Sequence, residues 1–523
     1  MASNLGASAH GSSSRSLQDA TVRLLAKFFK ADWSGALLAI LIISVAVELT
    51  TSGMSVFEPS NVMTILNNSA AIGVIAGGMT LVILTAGIDL SVGSVVGLCG
   101  ALTGYLVSFW GFSPVEAILA GLGIGGVIGL IHGILIARFG MPAFIVTLAG
   151  LSIWRGAAHL STGAKATPQL PEAFNWFGRL NPLEALRAAY QSGKLPAWLN
   201  GVSAFLDTNW VGYFRTFQMS MVIFIVFFVI LSVIVSNTIY GRYVFAIGSS
   251  EAGARQAGIN TVRYKLLTYV FCSLSAALGA LLILGRAPYA KSDYGQGWEL
   301  DAIAAVVIGG TSLFGGRGTI WGTFLGVILL KLINNGLTLA QLNTFWQMIV
   351  TGMIILIAVG LDLVRQSRSP ESVRRFLAAV GAAMAFFTLL TPASLWLRAA
   401  VALHEHYSVT GLREGGAQLA SSQSERLLSP AQLQALATQM GGSFWPTVAC
   451  LLPLALSVVS IATKSRLVSF AVCAVFAVSA YAMATAGFSA AVPFLVLGAV
   501  AVAGSLLVLN AFERARKLHE IEA

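Results

Sequence analysis

Stretches of roughly 20 apolar residues recur along almost the whole chain, and no other feature limits its possible folds as strongly. A helix of about 20 residues spans the hydrocarbon core of a bilayer. Soluble domains carry far more charge, whereas here 56% of the 523 residues are hydrophobic and only 10% are charged. The sequence therefore predicts an all-α polytopic membrane protein whose fold is determined by the bilayer.

The apolar segments fall into two groups, which predict a core of about ten helices and about four extra C-terminal helices. The core spans are predicted near Trp33–Thr51, Val62–Thr85, Ser91–Trp110, Val115–Ala137, Phe144–Leu160, Ser220–Ser236, Leu266–Leu284, Ala302–Leu313, Ile320–Ile333 and Trp346–Leu361. The C-terminal spans are predicted near Phe376–Leu395, Trp445–Ala462, Leu467–Ala486 and Ala491–Asn510.

Lysine and arginine residues in the short loops predict the orientation, since cytoplasmic loops are enriched in them. Arg138, the residues around Arg255 and those after Arg365 lie on one side if the N-terminus is cytoplasmic, and the C-terminus then lies on that side too. The first predicted division is a cytoplasmic tail with an interfacial helix (1–32). It is followed by a core (33–365) with an external insertion (163–217) and an inner loop (241–265), and by a C-terminal extension (366–523) with an external loop (398–442).

Charge and motifs exclude several classes of function. The formal net charge is +10, but the basic residues form short clusters at the ends of apolar segments, so no nucleic-acid partner is expected. The chain contains no GxxxxGK[ST] phosphate-binding loop and no recognisable nucleophile with a base. His404 and His406 form an incomplete ligand set. We therefore expect no catalytic residues, no metal and no cofactor on this chain.

Asp89 is the only charged residue between Gly77 and Leu98, in a stretch that is otherwise apolar and rich in glycine. A carboxylate at membrane depth is costly unless it has partners. Two interpretations are open: Asp89 is the N-cap of the third span, or it couples transport to an ion. The second fits a self-sufficient ion-coupled secondary transporter, in which Asp89, Arg155 and Lys331 are the coupling charges.

Glycine recurs at every fourth position of the fourth predicted span. The residues are Gly121, Gly125, Gly129 and Gly133. This spacing aligns them on one helix face, where another backbone can approach closely. The pattern predicts a helix-packing seam rather than a chemical site.

The inner loop at 241–265 is longer, more polar and more charged than the other predicted cytoplasmic loops. Residues Glu251–Gln256 can form a short helix between the turn-forming Gly248 and Gly258. A transporter that is driven by a separate subunit needs a segment that contacts this subunit. The loop is therefore the candidate contact.

The same loop resembles the ATPase-coupling segment of the ribose/xylose-type permeases of bacterial ATP-binding-cassette (ABC) sugar importers, within the branched-chain amino acid/monosaccharide permease superfamily. The matching residues are Gly248, Glu251, Arg255, Gly258 and Ile259, while Ser250 and Gly253 replace the asparagine and the alanine usual in that family. Similar strings occur in family order at Ala86–Ser94 (Asp89, Ser91, Gly93), Pro142–Leu148, Gly297–Thr319 (Glu299, Asp301, Gly309, Gly310, Gly315, Gly316), Asn335–Leu337 (Asn335, Gly336) and Phe345–Asp362.

The resemblance implies a permease subunit that moves a monosaccharide of the pentose or hexose class by alternating access. It also implies a homodimer in the membrane lipid, a separate sugar ABC ATPase subunit that holds ATP and Mg²⁺, and an extracytoplasmic sugar-binding protein. The implied location is the bacterial cytoplasmic (inner) membrane. The residues after 365 have no counterpart in the family, and the 163–217 insertion is longer than expected for it.

Overall fold

The computed structural model describes residues 34–50, 56–192, 216–339, 345, 347–349, 351–353 and 356, and within these residues the regular structure is helical, without strands. In chain order the α-helices are α1 Ser34–Thr50, α2 Pro59–Leu84, α3 Val92–Trp110, α4 Pro114–Gly133, α5 Ala143–Thr162, α6 Pro182–Gln191, α7 Met219–Asn237, α8 Ile239–Ser249, α9 Glu251–Gln256, α10 Thr261–Leu284, α11 Trp298–Ile308 and α12 Ile320–Leu339. A π-helical turn, Ile134–Arg138, continues α4, and a 3₁₀ turn, Glu172–Phe177, precedes α6.

Seven helices in the described part of the chain are long and apolar enough to cross a membrane. They are α2, α3, α4 with its π-helical turn, α5, α7, α10 and α12. The chain is thus an all-α membrane protein with several spans, as the hydropathy predicts. The count of ten core helices and four further helices stays a prediction, because the C-terminal segments and the tail 1–32 lie outside the described residues.

The predicted span Ala302–Leu313 is wrong in its limits. Helix α11 has only 11 residues and ends at Ile308, because Gly310 adopts φ +90° in the left-handed region. The N–H of Gly310 donates to the carbonyl of Val307 (2.9 Å), and the N–H of Thr311 donates to that of Val306 (3.2 Å). This is the glycine-dependent Schellman ending of a helix.

Helix α2 lies at the centre of the bundle. Every residue from Ser69 to Leu84 is buried, as expected for a helix that is apolar on all sides. Helices α7, α10, α11 and α12 all pack against it. A Cβ on Gly73 would overlap the ring of Phe224, which stacks on Phe324 with the ring centroids 4.9 Å apart.

The glycine face of α4 lies against α10. A Cβ on Gly125 would lie 2.7 Å from that of Ala277, one on Gly129 would lie 2.6 Å from the Cα of Val270, and one on Gly133 would lie 3.0 Å from the Cα of Leu266. Gly121 instead faces Thr103 of α3. Close backbone approach at these four positions fits α4 between α3 and α10.

The insertion 163–217 contains the short helix that the sequence predicts. The side-chain Oδ1 of Asn181 accepts hydrogen bonds from the N–H groups of Leu183 (3.0 Å) and Glu184 (3.2 Å), and Pro182 is the first residue of α6. Both features favour helix initiation.

The chain divides into two units, Met1–Asp362 and Leu363–Ala523, and every described residue lies in the first. The predicted boundary between 365 and 366 and the external loop 398–442 remain predictions, since both lie outside the described residues.

Candidate functional site

The loop 241–265 folds into three consecutive helices, α8, α9 and the start of α10. Ser250 caps α9, because its Oγ accepts a hydrogen bond from the N–H of Gly253 (3.1 Å). Gly258 follows α9 with φ +83°, a conformation that favours glycine. Asn260 then caps α10, accepting from the N–H of Arg263 at 3.0 Å. The six-residue helix α9 is therefore defined at both ends by local side-chain chemistry.

Helix α9 is held to α10 by charge. Glu251 accepts hydrogen bonds from Lys265 Nζ (2.9 Å) and from Arg255 Nη2 (3.2 Å), and its side chain remains 41% exposed. Partial burial acts to raise the pKa of Glu251, but the hydrogen bonds and charges of Lys265 and Arg255 outweigh it and hold that pKa below its ordinary value. Ala254 is buried, and its carbonyl accepts from the N–H of Ile259 at 3.0 Å. The outer surface of α9 carries Arg255, whose side chain is 68% exposed.

The end of α8 contacts the rest of the helix bundle at what we call the glycine junction. It is formed by Leu84, Ala86, Gly248, Gly315 and Gly316. The N–H of Gly316 donates to the carbonyl of Leu84 at 3.0 Å. A Cβ on Gly248 would overlap that same carbonyl oxygen and lie 2.5 Å from the nitrogen of Gly316. A Cβ on Gly315 would lie 2.8 Å from the nitrogen of Ala86. Three segments that are distant in sequence thus meet without intervening side chains.

Beyond the junction, the turn between α2 and α3 leads to Asp89, which is fully buried. The prediction that Asp89 is the N-cap of the third span is wrong: α3 begins at Val92, and Ser91 occupies the N-cap position. Asp89 instead accepts hydrogen bonds from the N–H (2.9 Å) and the hydroxyl (2.6 Å) of Ser91. The carboxylate therefore stabilises the turn that precedes the helix.

Ser91 connects Asp89 to two further side chains. Its Oγ lies 3.4 Å from His132 Nδ1, and the indole N–H of Trp154 donates to His132 Nε2 at 3.1 Å. His132 is buried on α4, between α3 and α5. These contacts satisfy the histidine with interhelical hydrogen bonds, the usual state of a lone histidine in a helix bundle.

The predicted site residues in the last third of the core tie α12 to its neighbours. Lys331 Nζ lies 3.4 Å from Asp301 Oδ2, and both side chains are largely buried. The side chains of Asn335 and Asn61 exchange hydrogen bonds of 2.9 and 3.1 Å, which join α12 to α2. A Cβ on Gly336 would lie 2.6 Å from Val47 of α1, and one on Gly309 would overlap Gly322 of α12.

Arg155 of α5 lies where a non-helical segment of turns and bends, residues 286–297, approaches α3. Its Nη1 donates to the carbonyls of Ser292 (2.7 Å) and Tyr294 (2.9 Å), and its Nη2 donates to that of Gly93 (3.0 Å). A Cβ on Gly93 would overlap a carboxylate oxygen of Glu299. Sequence reasoning named Arg155 only as a coupling charge. The position of Arg155 within an apolar span was the signal that its guanidinium needs buried hydrogen-bond acceptors.

The structure thus brings the predicted residues into two groups. Gly248, Glu251, Arg255, Gly258, Ile259, Gly315 and Gly316 lie at α9 or at the glycine junction, and Gly93 and Glu299 lie with Arg155. Asp301, Gly309, Asn335 and Gly336 lie apart from both groups, at contacts of α11 and α12.

Comparison with known proteins matches residues 61–359 to the family described as "Branched-chain amino acid transport system / permease component". The chain is similar to the ribose import permease protein RbsC of Escherichia coli K12, with 34% identity over 65% of this chain and 97% of the relative. It is also similar to RbsC of Bacillus subtilis, with 39% identity over 63% of this chain and 92% of the relative. The fructose import permease protein FrcC of Rhizobium meliloti is 32% identical over 62% of this chain and 84% of the relative. No solved structure matches the chain. The chain therefore belongs to the family of branched-chain amino acid transport system permease components.

Proposed function

We propose that this chain is the membrane-spanning subunit of an ABC importer that carries a monosaccharide across the bacterial cytoplasmic membrane by alternating access. The observation that supports it most directly is the helix α9, with its exposed Arg255 and its connection to the glycine junction. Relatives named as ribose, fructose and xylose permeases support the substrate class. A separate ATPase subunit holds ATP and Mg²⁺, and its hydrolysis biases two conformations of the bundle.

The proposal includes the remaining parts of an importer. Two copies of this chain surround the path, an extracytoplasmic protein delivers the sugar, and both termini lie in the cytoplasm. Helix α9 lies on the cytoplasmic side, where the ATPase binds. A displacement of α9 reaches Leu84 and Gly316 through the end of α8, because Gly248 leaves no side chain between these backbones.

Reversing the charge of Glu251 tests the role of α9. Glu251→Lys places an ammonium group beside Lys265 and Arg255, so we expect sugar-stimulated ATP hydrolysis by the purified complex to fall about tenfold or more. Adding Lys265→Glu restores an opposite-charge pair at the 2.9 Å contact and should recover most of the stimulation. Exchanging Glu251 with Arg255 alone would leave like charges at Lys265.

Glu184→Lys, on the exposed surface of α6, is the matched control and should leave stimulation unchanged. Full stimulation in the Glu251→Lys complex, at normal levels of assembled subunits, would contradict the proposed contact.

Removal of the C-terminal extension tests whether it is an accessory module. The family match ends at residue 359, and 97% of the length of the Escherichia coli relative aligns with only 65% of this chain. A chain ending at Gln366 should therefore retain sugar uptake in membrane vesicles that contain the partner subunits. Complete loss of uptake by a truncated chain that is inserted and assembled normally would show that the extension is required.

A self-sufficient ion-coupled secondary transporter is the second candidate. Its three coupling charges already have structural partners: Asp89 binds Ser91, Arg155 binds three carbonyls, and Lys331 pairs with Asp301. This favours the ABC importer. Sugar uptake by the purified chain alone in liposomes, abolished by a protonophore and indifferent to ATP, would favour the secondary transporter instead.

A further inference from the structure

The segment 286–297 joins α10 to α11 and runs along α3 without being helical. Three glycines of α3 lie against it. A Cβ on Gly104 would overlap the Cβ of Ala290, one on Gly97 would lie 2.8 Å from the carbonyl of Ser292, and one on Gly93 would overlap the carbonyl of Gly295. Gly104 and Gly93 are separated by about 16 Å of helix rise. The segment therefore covers about half of the roughly 30 Å hydrocarbon thickness.

One side of the segment is fixed by hydrogen bonds to α5 and to Thr167. Besides the bonds from Arg155, the hydroxyl of Ser292 lies 2.9 Å from His159 Nδ1. The carbonyl of Ala290 accepts from the N–H of Thr167 (3.0 Å), and the N–H of Ala290 donates to the hydroxyl of Thr167 (2.8 Å). Non-helical backbone at membrane depth is tolerated only where protein satisfies it or where it lines a water-filled space. Here Arg155 and Thr167 satisfy backbone groups on one side of the segment.

The other side of the segment is polar and open. Ala290, Ser292 and Gly295 are buried, whereas Tyr289, Asp293 and Gln296 are exposed. Lys291 Nζ lies 5.0 Å above the ring of Tyr289, so a cation accompanies this face. A carboxylate and an amide at this depth cannot face acyl chains without a large cost. Their exposed side therefore does not face acyl chains.

Helix α11 completes the same crossing. It starts at Trp298, directly after the segment, and its 11 residues add about 16 Å before the glycine junction. A non-helical half followed by a short helix is similar to the discontinuous helices with which transporters form binding sites near the middle of the membrane.

We propose that the exposed face of the 286–297 segment, formed by Tyr289, Asp293 and Gln296, lines the path through the membrane and binds the hydroxyl groups of the transported monosaccharide. Asp293 accepts hydrogen bonds from sugar hydroxyls, and Gln296 both accepts and donates them. The ring of Tyr289 contacts the C–H surface of the sugar. This assignment rests on the proposed sugar-importer function and names the groups that contact its substrate.

The first test is uptake of labelled ribose, xylose and fructose by the full complex in vesicles. For the sugar that the wild type transports, Asp293→Ala with Gln296→Ala should lower kcat/KM about tenfold or more and change the preference among the three sugars. Asp293→Asn should recover part of the loss, since an amide oxygen still accepts. Glu172→Ala, an exposed acid in the insertion, is the control and should have no effect.

The second test is thiol accessibility in the full chain carrying Cys450→Ala and Cys473→Ala; Cys99 and Cys272 are buried. Asp293→Cys and Gln296→Cys should react with a charged, membrane-impermeant thiol reagent, while Val229→Cys, exposed on the apolar surface of α7, should not. Unreactive cysteines at both positions, or wild-type kcat/KM and sugar preference in the double alanine variant, would overturn the assignment. Absence of ATP-driven uptake of all three sugars by the wild-type complex would instead refute the proposed function.

Discussion

Replacing Gly248 by alanine is expected to abolish ATP-driven uptake although it adds a single methyl group. The new Cβ would overlap the carbonyl oxygen of Leu84 and lie 2.5 Å from the nitrogen of Gly316. Backbone atoms of α2 and of the 309–319 turn cannot move aside as a flexible side chain can, so α8 must shift away from the bundle. If α8 does not shift, the methyl group must instead separate Leu84 from Gly316, whose N–H donates to that same carbonyl. Uptake and sugar-stimulated ATP hydrolysis should both fall more than about tenfold.

Gly253→Ala is the matched control for this prediction. Gly253 lies within α9, and the nearest atom to a Cβ there is the flexible Ser250 Oγ at 3.2 Å. Alanine is also favoured over glycine within a helix by about 1 kcal/mol. We expect uptake by this variant to equal that of the wild type. Normal stimulation by a Gly248→Ala complex would mean that α9 transmits its movement by another route.

Replacing Arg155 by methionine is expected to destabilise the whole core. Methionine keeps much of the side-chain volume but leaves the carbonyls of Gly93, Ser292 and Tyr294 without the donors that the guanidinium provides. An unsatisfied buried acceptor costs about 1–3 kcal/mol, and most domains are stable by only about 5–15 kcal/mol. The thermal midpoint in detergent and the amount of assembled complex should fall together, and uptake should be lost.

Two further variants separate the geometry of Arg155 from its charge. Arg155→Lys keeps the charge but offers a compact ammonium group in place of the planar fork that reaches three carbonyls, so it should recover only part of the stability. Arg138→Met removes an exposed arginine at the end of the preceding helix and should leave the midpoint unchanged. A wild-type midpoint and wild-type uptake for Arg155→Met would show that the 286–297 segment does not depend on this residue.

Elements defined by local chemistry could be predicted from the sequence. The seven long apolar helices follow from hydropathy. Helix α9 and the insertion helix α6 follow from Ser250 and Asn181, whose side chains cap the first turn of each helix. Each of these signals lies within a few residues of the element that it defines.

The crossing formed by 286–297 and α11 could not be predicted in the same way. Asp293 and Gln296 give the segment the composition of a loop, so hydropathy predicts a span only in the apolar residues that follow, from Ala302 to Leu313. The non-helical half is stable at membrane depth because residues far away in sequence bond to its backbone, among them Arg155, 137 positions from Ser292.

The amino-acid sequence predicts a membrane-spanning permease with a short charged helix in one loop, because hydropathy, helix capping and family motifs are properties of neighbouring residues. The contacts of Gly248 with Leu84 and Gly316, the turn that Asp89 stabilises instead of capping α3, and the non-helical crossing that Arg155 supports are visible in the folded chain alone. These contacts join residues far apart in the chain, and they form only when the packing of the helices fixes which backbones approach one another.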